Sequence, residues 1–424
     1  MLITVIKFIL AFVFCNYLLF VFQPLQGRLN FSKITFAFLF KVMLGCLYGF
    51  LMLTYYPNDD TVLFHQMGID EHQELLSNPR LFFSDFLNKD AFKDGNGVLD
   101  ISYYYLHDWE KWIFIKLLAL FNLFSHGNYY INVVLLNVIS FKGCHYLFAA
   151  FKKWFDQSAI YLYMLIFYFP PVTFWLSGIR GEALLIFFIG LLILSIIQFK
   201  KELLRYLLIV ASLLGILIMR SQLFLLLCPG LLAYFIIRKT GIKPLKVFAG
   251  TYLLMITIVL LSSLMPDKFN LLLITANKQA SFKLLSSNSV FYLPDLDGSV
   301  LTYLKAFPYA VMNTFFRPLF VDANGLLQLL ASVETLFVLL MTVYWIITVR
   351  KRGTEIWTSP IFLLLFFFAL SNYVMVGLVV NYPGVIIRYR SIPELLLLIC
   401  FMADLNKVLP TRDKYIRGYL LFKN

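Results

Sequence analysis

Long apolar runs, separated by short polar stretches, repeat along this chain from its first residues. Several runs reach the roughly 20 residues that a helix needs to cross a hydrocarbon core. The ten-residue alternation of a membrane β-barrel is absent. Apolar windows of about 19 residues predict spans near 3–22, 34–56, 128–150, 158–176, 183–199, 204–219, 221–237, 246–265, 325–349, 359–379 and 389–405, eleven in all. The run "WIFIKLLALFNLF" (112–124) is too short and too interrupted to span. It predicts a helix lying in the interface, with Lys111 and Lys116 towards headgroups. The first run, "ITVIKFILAFVFCNYLLFVF", is too long for a signal-peptide core and lacks a small-residue cleavage site, so it counts as a span.

Composition strengthens this reading. The 424 residues are 61% apolar and only 14% charged, against about a quarter charged in globular chains. The fold class is therefore an all-α polytopic membrane protein. A net charge of +13 would suggest nucleic acid in a soluble protein. Here the basic residues cluster in short loops between apolar runs, a sign of membrane orientation, and no nucleic-acid partner is expected. Cys15, Cys46, Cys144, Cys228 and Cys400 all sit inside apolar runs without metal-ligand spacing and read as small hydrophobes.

Charge also assigns the sides. Segments 23–33, 150–157, 199–205, 238–246, 350–357 and 404–424 hold 19 Lys or Arg against 5 Asp or Glu, whereas 57–108 holds 10 acidic and 3 basic residues. The basic side is expected to be cytoplasmic, with the N-terminus outside and the C-terminus inside. Two outer loops are long, 57–127 and 266–324, and the second contains "LTYLKAFPYAVMNTFF", a further candidate interfacial helix. With no soluble domain, repeat or low-complexity linker, residues 1–424 read as one transmembrane domain.

The candidate chemistry lies on the outer side. "YYPNDDTVLFHQMG" (55–68) sets Asp59 and Asp60 where the second span meets water, with His65 shortly after. "WLSGIRGEAL" brings Arg180 and Glu182 to the same surface, Arg220 lies between two short spans, and Arg317, Arg388 and Arg390 sit near other span ends. Charges near a bilayer are costly enough to suggest function. Arginine offers phosphate paired hydrogen bonds and a permanent charge. A nearby carboxylate can take a proton from an incoming hydroxyl. Such parts suit a transferase acting on a group activated by lipid phosphate. Plainer readings exist for each residue: a snorkelling arginine, an Asp59–Asp60 helix cap, a surface or core His65, a local Arg180–Glu182 pair. Glu334, inside the ninth span, is expected to pair with another polar side chain. Asp59 and Asp60 could hold a divalent cation, Mg or Mn, although no cluster has ligand spacing. No glycine-rich loop follows a strand, which favours a lipid-linked donor over a soluble nucleotide sugar.

This layout resembles the GT-C class of membrane glycosyltransferases. The resemblance rests on "PNDDTVLFHQMG", an acidic stretch in an outer loop just after a span, with Asp59 or Asp60 in the place of the catalytic carboxylate. "PPVTFWLSGIRGEALLIFFIGLL" (170–192) and "FFRPLFVDANGLLQLLASVETL" (315–336) resemble segments of bacterial membrane proteins of this general kind. It implies a multi-pass enzyme of the bacterial inner membrane, with interfacial helices in its outer loops and a polyprenyl-phosphate sugar donor. The acceptor would be a cell-envelope glycan or glycolipid, and membrane lipids would be constant partners. The chain departs from the class pattern in an extra span before the acidic loop, and no large soluble C-terminal domain is expected after the spans, unlike in oligosaccharyltransferases. Two other functions stand beside it: a polysaccharide polymerase, which would also need outer arginines, and a transporter or flippase of lipid-linked sugars, in which repeated halves and mid-membrane charges would be expected.

Overall fold

Inside a bilayer each backbone N–H and C=O must find its partner without water, and within a single segment only a helix provides this. The computed structural model describes residues 2–57, 59–84, 98–155, 158–198, 202–285, 289–352 and 356–406. Among the described residues there are helices and turns but no strand. Asn58, residues 85–97 of the acidic 57–127 segment and 407–424 of the basic C-terminal segment lie outside them.

Among the described residues eight helices are long and apolar enough to cross a membrane, which makes this an all-α, multi-pass membrane protein. They are α1 (Leu2–Val21), α2 (Phe31–Tyr55), α6 (Tyr129–Phe155), α10 (Glu202–Met219), α11 (Ser221–Thr240), α12 (Pro244–Leu261), α15 (Leu326–Arg352) and α16 (Pro360–Val379). The rest are α3 (Asp60–Ser77), α4 (Pro79–Ser84), α5 (Val98–Ser125), α7 (Ala159–Tyr168), α8 (Pro170–Trp175), α9 (Glu182–Gln198), α13 (Leu271–Lys283), α14 (Val300–Val311) and α17 (Pro383–Asn406). All eleven apolar windows fall on helices, but three differ from the other eight. The window 158–176 is broken into α7 and α8 at Pro170 and Pro171, because proline lacks an N–H and disfavours helix in the residue before it. Helix α9 has only 17 residues, and α17 carries Arg388, Arg390, Glu394 and Asp404.

The chain forms two compact units, Met1–Phe224 and Leu225–Asn424. In the first, α6 is the central helix, with α1, α2, α7 and α9 packed around it. Lipid offers helices no hydrophobic drive to associate, so close approach through small residues matters. Gly143 on α6 lies against the backbone of Ile186 on α9, and Gly190 on α9 lies against Gly143. Gly49 on α2 accommodates the ring of Tyr129, whose hydroxyl shares a hydrogen bond with buried Thr61 at 2.8 Å. In the second unit α16 packs against α14 and α17, with Gly377 lying on the backbone of Ala310, and α15 packs along α17.

One expectation fails in the 57–127 segment. Residues 112–124 belong to the longer helix α5, and Lys116 does not reach headgroups. It is buried, pairs with Glu71 of α3 at 2.8 Å and lies 4.2 Å from the Phe82 ring centroid. The loop folds on itself, so a carboxylate and an aromatic face replace the headgroup as partners for the ammonium. The second candidate interfacial stretch is helical as expected, α14 running into a π-turn at Met312–Phe316.

The tight α2–α6 contact gives a test. Gly49→Val should lower stability by about 1–3 kcal/mol through overpacking against Tyr129. Gly250→Ala, in open space on α12, should match or exceed wild type by up to about 1 kcal/mol. Thermal melts of both purified variants in detergent would show the difference.

Candidate active site

Asp59 and Asp60 begin α3 just beyond the end of α2. Asp59 is the N-cap, its Oδ1 accepting from the Thr61 N–H at 2.9 Å, and Asp60 opens the first turn, where the helix dipole favours a negative charge. The cap reading thus holds for Asp59. Thr61 fastens the start of α3 to the 177–181 turn by donating to the Ile179 carbonyl at 3.0 Å. Asn137 of α6 holds the other end of that turn, donating to the Ser177 carbonyl at 2.8 Å. Gly45 on α2 lies against Ser177 and Gly178 against the Tyr48 ring, so larger residues would push the turn away from α2.

This framework delivers Arg180 between the two aspartates. Its buried guanidinium donates from Nε to the Tyr48 hydroxyl, from Nη1 to Asp60 Oδ2 at 3.1 Å, and from Nη2 to both oxygens of Asp59. Tyr48 closes the ring by facing Asp59 Oδ1 at 3.3 Å. Burial alone would lower the Arg180 pKa, but Tyr48, Asp59, Glu182 and Asp60 outweigh it and hold the value above that of an ordinary arginine. The cation is permanent. The two carboxylates differ in access: the Asp59 side chain is 21% exposed and the Asp60 side chain 53%. Asp59 is enclosed by donors, while Asp60 keeps an open side.

The local Arg180–Glu182 pair is part of a longer chain of contacts, since Glu182 acts electrostatically on Arg180. Glu182, buried at the start of α9, pairs with Arg220 at 3.1 Å. Asp59, Asp60, Arg180, Glu182 and Arg220 therefore all belong to the first unit's charge network. His65 belongs to α3, but its ring packs edge-on against Tyr129 at 5.1 Å. Burial holds its pKa below the usual 6.5 against an opposing hydrogen bond to the Gly127 backbone. Arg180 offsets one of the two aspartate charges, and the pair keeps a net negative charge beside it. Among the described residues no three His, Cys, Asp or Glu side chains gather as a metal site.

Arg317, Arg388 and Arg390 belong to the second unit. Arg317 is bidentate to Asp322, with Nε to Oδ2 at 3.0 Å, and lies 4.0 Å from the Phe291 ring centroid. Arg388 stacks on Tyr389 and donates to its hydroxyl at 3.1 Å. Arg390 is not an open span-end residue. It is buried, and Glu334 is among its partners at 3.6 Å, which supplies the polar partner expected for that carboxylate. Tyr48 and Glu394 were not singled out in the sequence. Tyr48 gave no signal inside an aromatic-rich run, whereas Glu394, four residues after Arg390, could have been found by helical spacing.

No protein-family model, curated protein or solved structure matches the chain.

Two outcomes follow from these pairs. Arg180→Gln should destabilise the first unit by about 2–3 kcal/mol, less than a fully buried pair because Asp60 reaches water; chemical denaturation would measure it. In the second unit, hydrogen bonding to Arg317 holds Asp322 below the ordinary carboxylate value of 3.8. Its contribution is complete above that value and lost as pH falls through the lowered one. The melting-temperature gap between wild type and Asp322→Asn should therefore be widest at neutral pH and close in acid.

Proposed function

We propose that this protein is a membrane glycosyltransferase that moves a sugar from a polyprenyl-phosphate-linked donor to a glycan or lipid acceptor of the cell envelope. The observation that carries the reading is the half-open Asp60 carboxylate, anchored at the outer end of α2 by a buried Arg180. Asp60 is the base. It takes the proton of the acceptor hydroxyl as that oxygen bonds to the anomeric carbon. The bond from that carbon to the phosphate oxygen breaks, and the phosphate leaves with the electron pair, inverting the anomeric centre. Asp59 and Tyr48 position Arg180, and Arg180 positions Asp60. Arg220, partly exposed and steadied by Glu182, is the unit's candidate for the donor phosphate.

The resemblance to the GT-C class and the distribution of basic residues support a setting in the bacterial inner membrane. The N-terminus and the site would face the periplasm and the C-terminus the cytoplasm. The α7–α8 pair, α9 and α17 would complete eleven crossings.

The test is donor turnover in proteoliposomes with a panel of polyprenyl-phosphate sugars. Asp60→Asn should lose turnover by about 10²–10⁴-fold while remaining folded by size exclusion, and Arg220→Gln should raise the donor KM. Undiminished turnover in both Asp60→Asn and Asp59→Asn would sink the base assignment and favour a polysaccharide polymerase. Movement of lipid-linked sugar across the bilayer without its consumption would favour a transporter.

A further inference from the structure

The second unit contains a charge cluster that the proposed transfer does not use. Arg390 on α17 directs Nε to Glu394 Oε2 at 3.1 Å and Nη2 to Glu334 Oε1 of α15 at 3.6 Å. Nη2 also donates to Thr335 Oγ1 at 2.6 Å, and Nη1 to the carbonyls of Thr314 at 3.1 Å and Arg317 at 2.9 Å. Among the described residues the other titratable group facing the cluster is Tyr373 of α16, whose hydroxyl is directed at Glu394. The neighbouring Arg317–Asp322 pair is neutral as a whole.

The charges do not balance. One guanidinium faces two carboxyl groups, and no second cation among the described residues pairs with either carboxyl. Glu394 is fully buried and the Glu334 side chain nearly so. Neither Glu334 Oε1 nor the two oxygens of Glu394 receives a well-formed hydrogen bond. Two ionised carboxylates here would leave a net negative charge out of reach of water, which is far costlier than a neutral carboxyl. A proton on one carboxyl removes the excess charge and supplies an O–H donor.

We propose that the Glu334–Arg390–Glu394 cluster is a proton-binding site, with one proton held by the two carboxyl groups at neutral pH and Arg390 as counter-ion to the other charge. Loss of the proton sets both carboxylates in competition for Arg390, which also grips the 314 and 317 carbonyls. Proton occupancy thereby adjusts the hold on the segment bearing Arg317. The inference stands apart from the glycosyl-transfer reading, since it rests on a different unit and a different charge count.

Infrared spectroscopy of the full chain in lipid, labelled with [13C]glutamate, tests it directly. Wild type at pH 7 should show an isotope-shifted protonated-carboxyl band that is lost in E334Q or E394Q. The variant that replaces the protonated carboxyl by a neutral amide should keep its melting temperature. Absence of the band in wild type, or its persistence in both variants, overturns the proposal. If neither variant folds, E334D and E394D take their place, and a wild-type band unchanged in both overturns the proposal. A melting temperature raised by Na⁺ over choline at equal ionic strength, with no protonated-glutamate band, overturns the proton in favour of a metal cation.

Discussion

The first unit depends on one buried guanidinium. Arg180 is held by a phenol and two carboxylates from α2 and the start of α3, and the 177–181 turn takes its position from that grip. Its burial would be prohibitive without these partners. The glycines at 45 and 178, Thr61 and Asn137 bring the backbone close enough for the contact. The two aspartates, adjacent in sequence, acquire different surroundings because only one serves as the helix cap. That asymmetry encloses Asp59 among donors and leaves Asp60 half exposed to water.

The second unit uses arginine in a related way with an opposite balance. Arg180 has two carboxylates near water, where an excess negative charge is tolerated. Arg390 has two carboxyls among apolar helices, where it is not. The same side chain beside the same number of acids has different consequences because of depth, and a residue count alone cannot distinguish the cases.

The apolar pattern showed the helical membrane class directly, since run length is read from the chain and a helix is what a bilayer permits. It also marked Asp59, Asp60 and Arg180 as unusual. It could not pair them, because 120 residues separate Asp60 from Arg180 and nothing local encodes that meeting. Tyr48 was hidden for another reason: a tyrosine near the end of an apolar run looks like an interfacial aromatic until its hydroxyl is seen between two charges. Lys116 went the other way. A lysine on a short apolar helix suggests headgroups, and only the folded loop reveals Glu71 and Phe82 beside it. Proline placed the break between α7 and α8 in the sequence, yet a window average passes over it.

Helix α15 presents most of its apolar surface outward, with only 17% of its most apolar stretch buried within the protein. Polar contacts tie it to α17 at two heights: Thr335 and Glu334 with Arg390, and the Trp345 indole donating to Asp404 at 3.0 Å. The two fastenings are ten residues apart, about 15 Å along the axis. A single fastening would leave the helix free to roll about its own axis or to slide by a turn. Two of them fix rotation and register together, so bilayer thickness and lateral pressure act on α15 and α17 as one rigid blade.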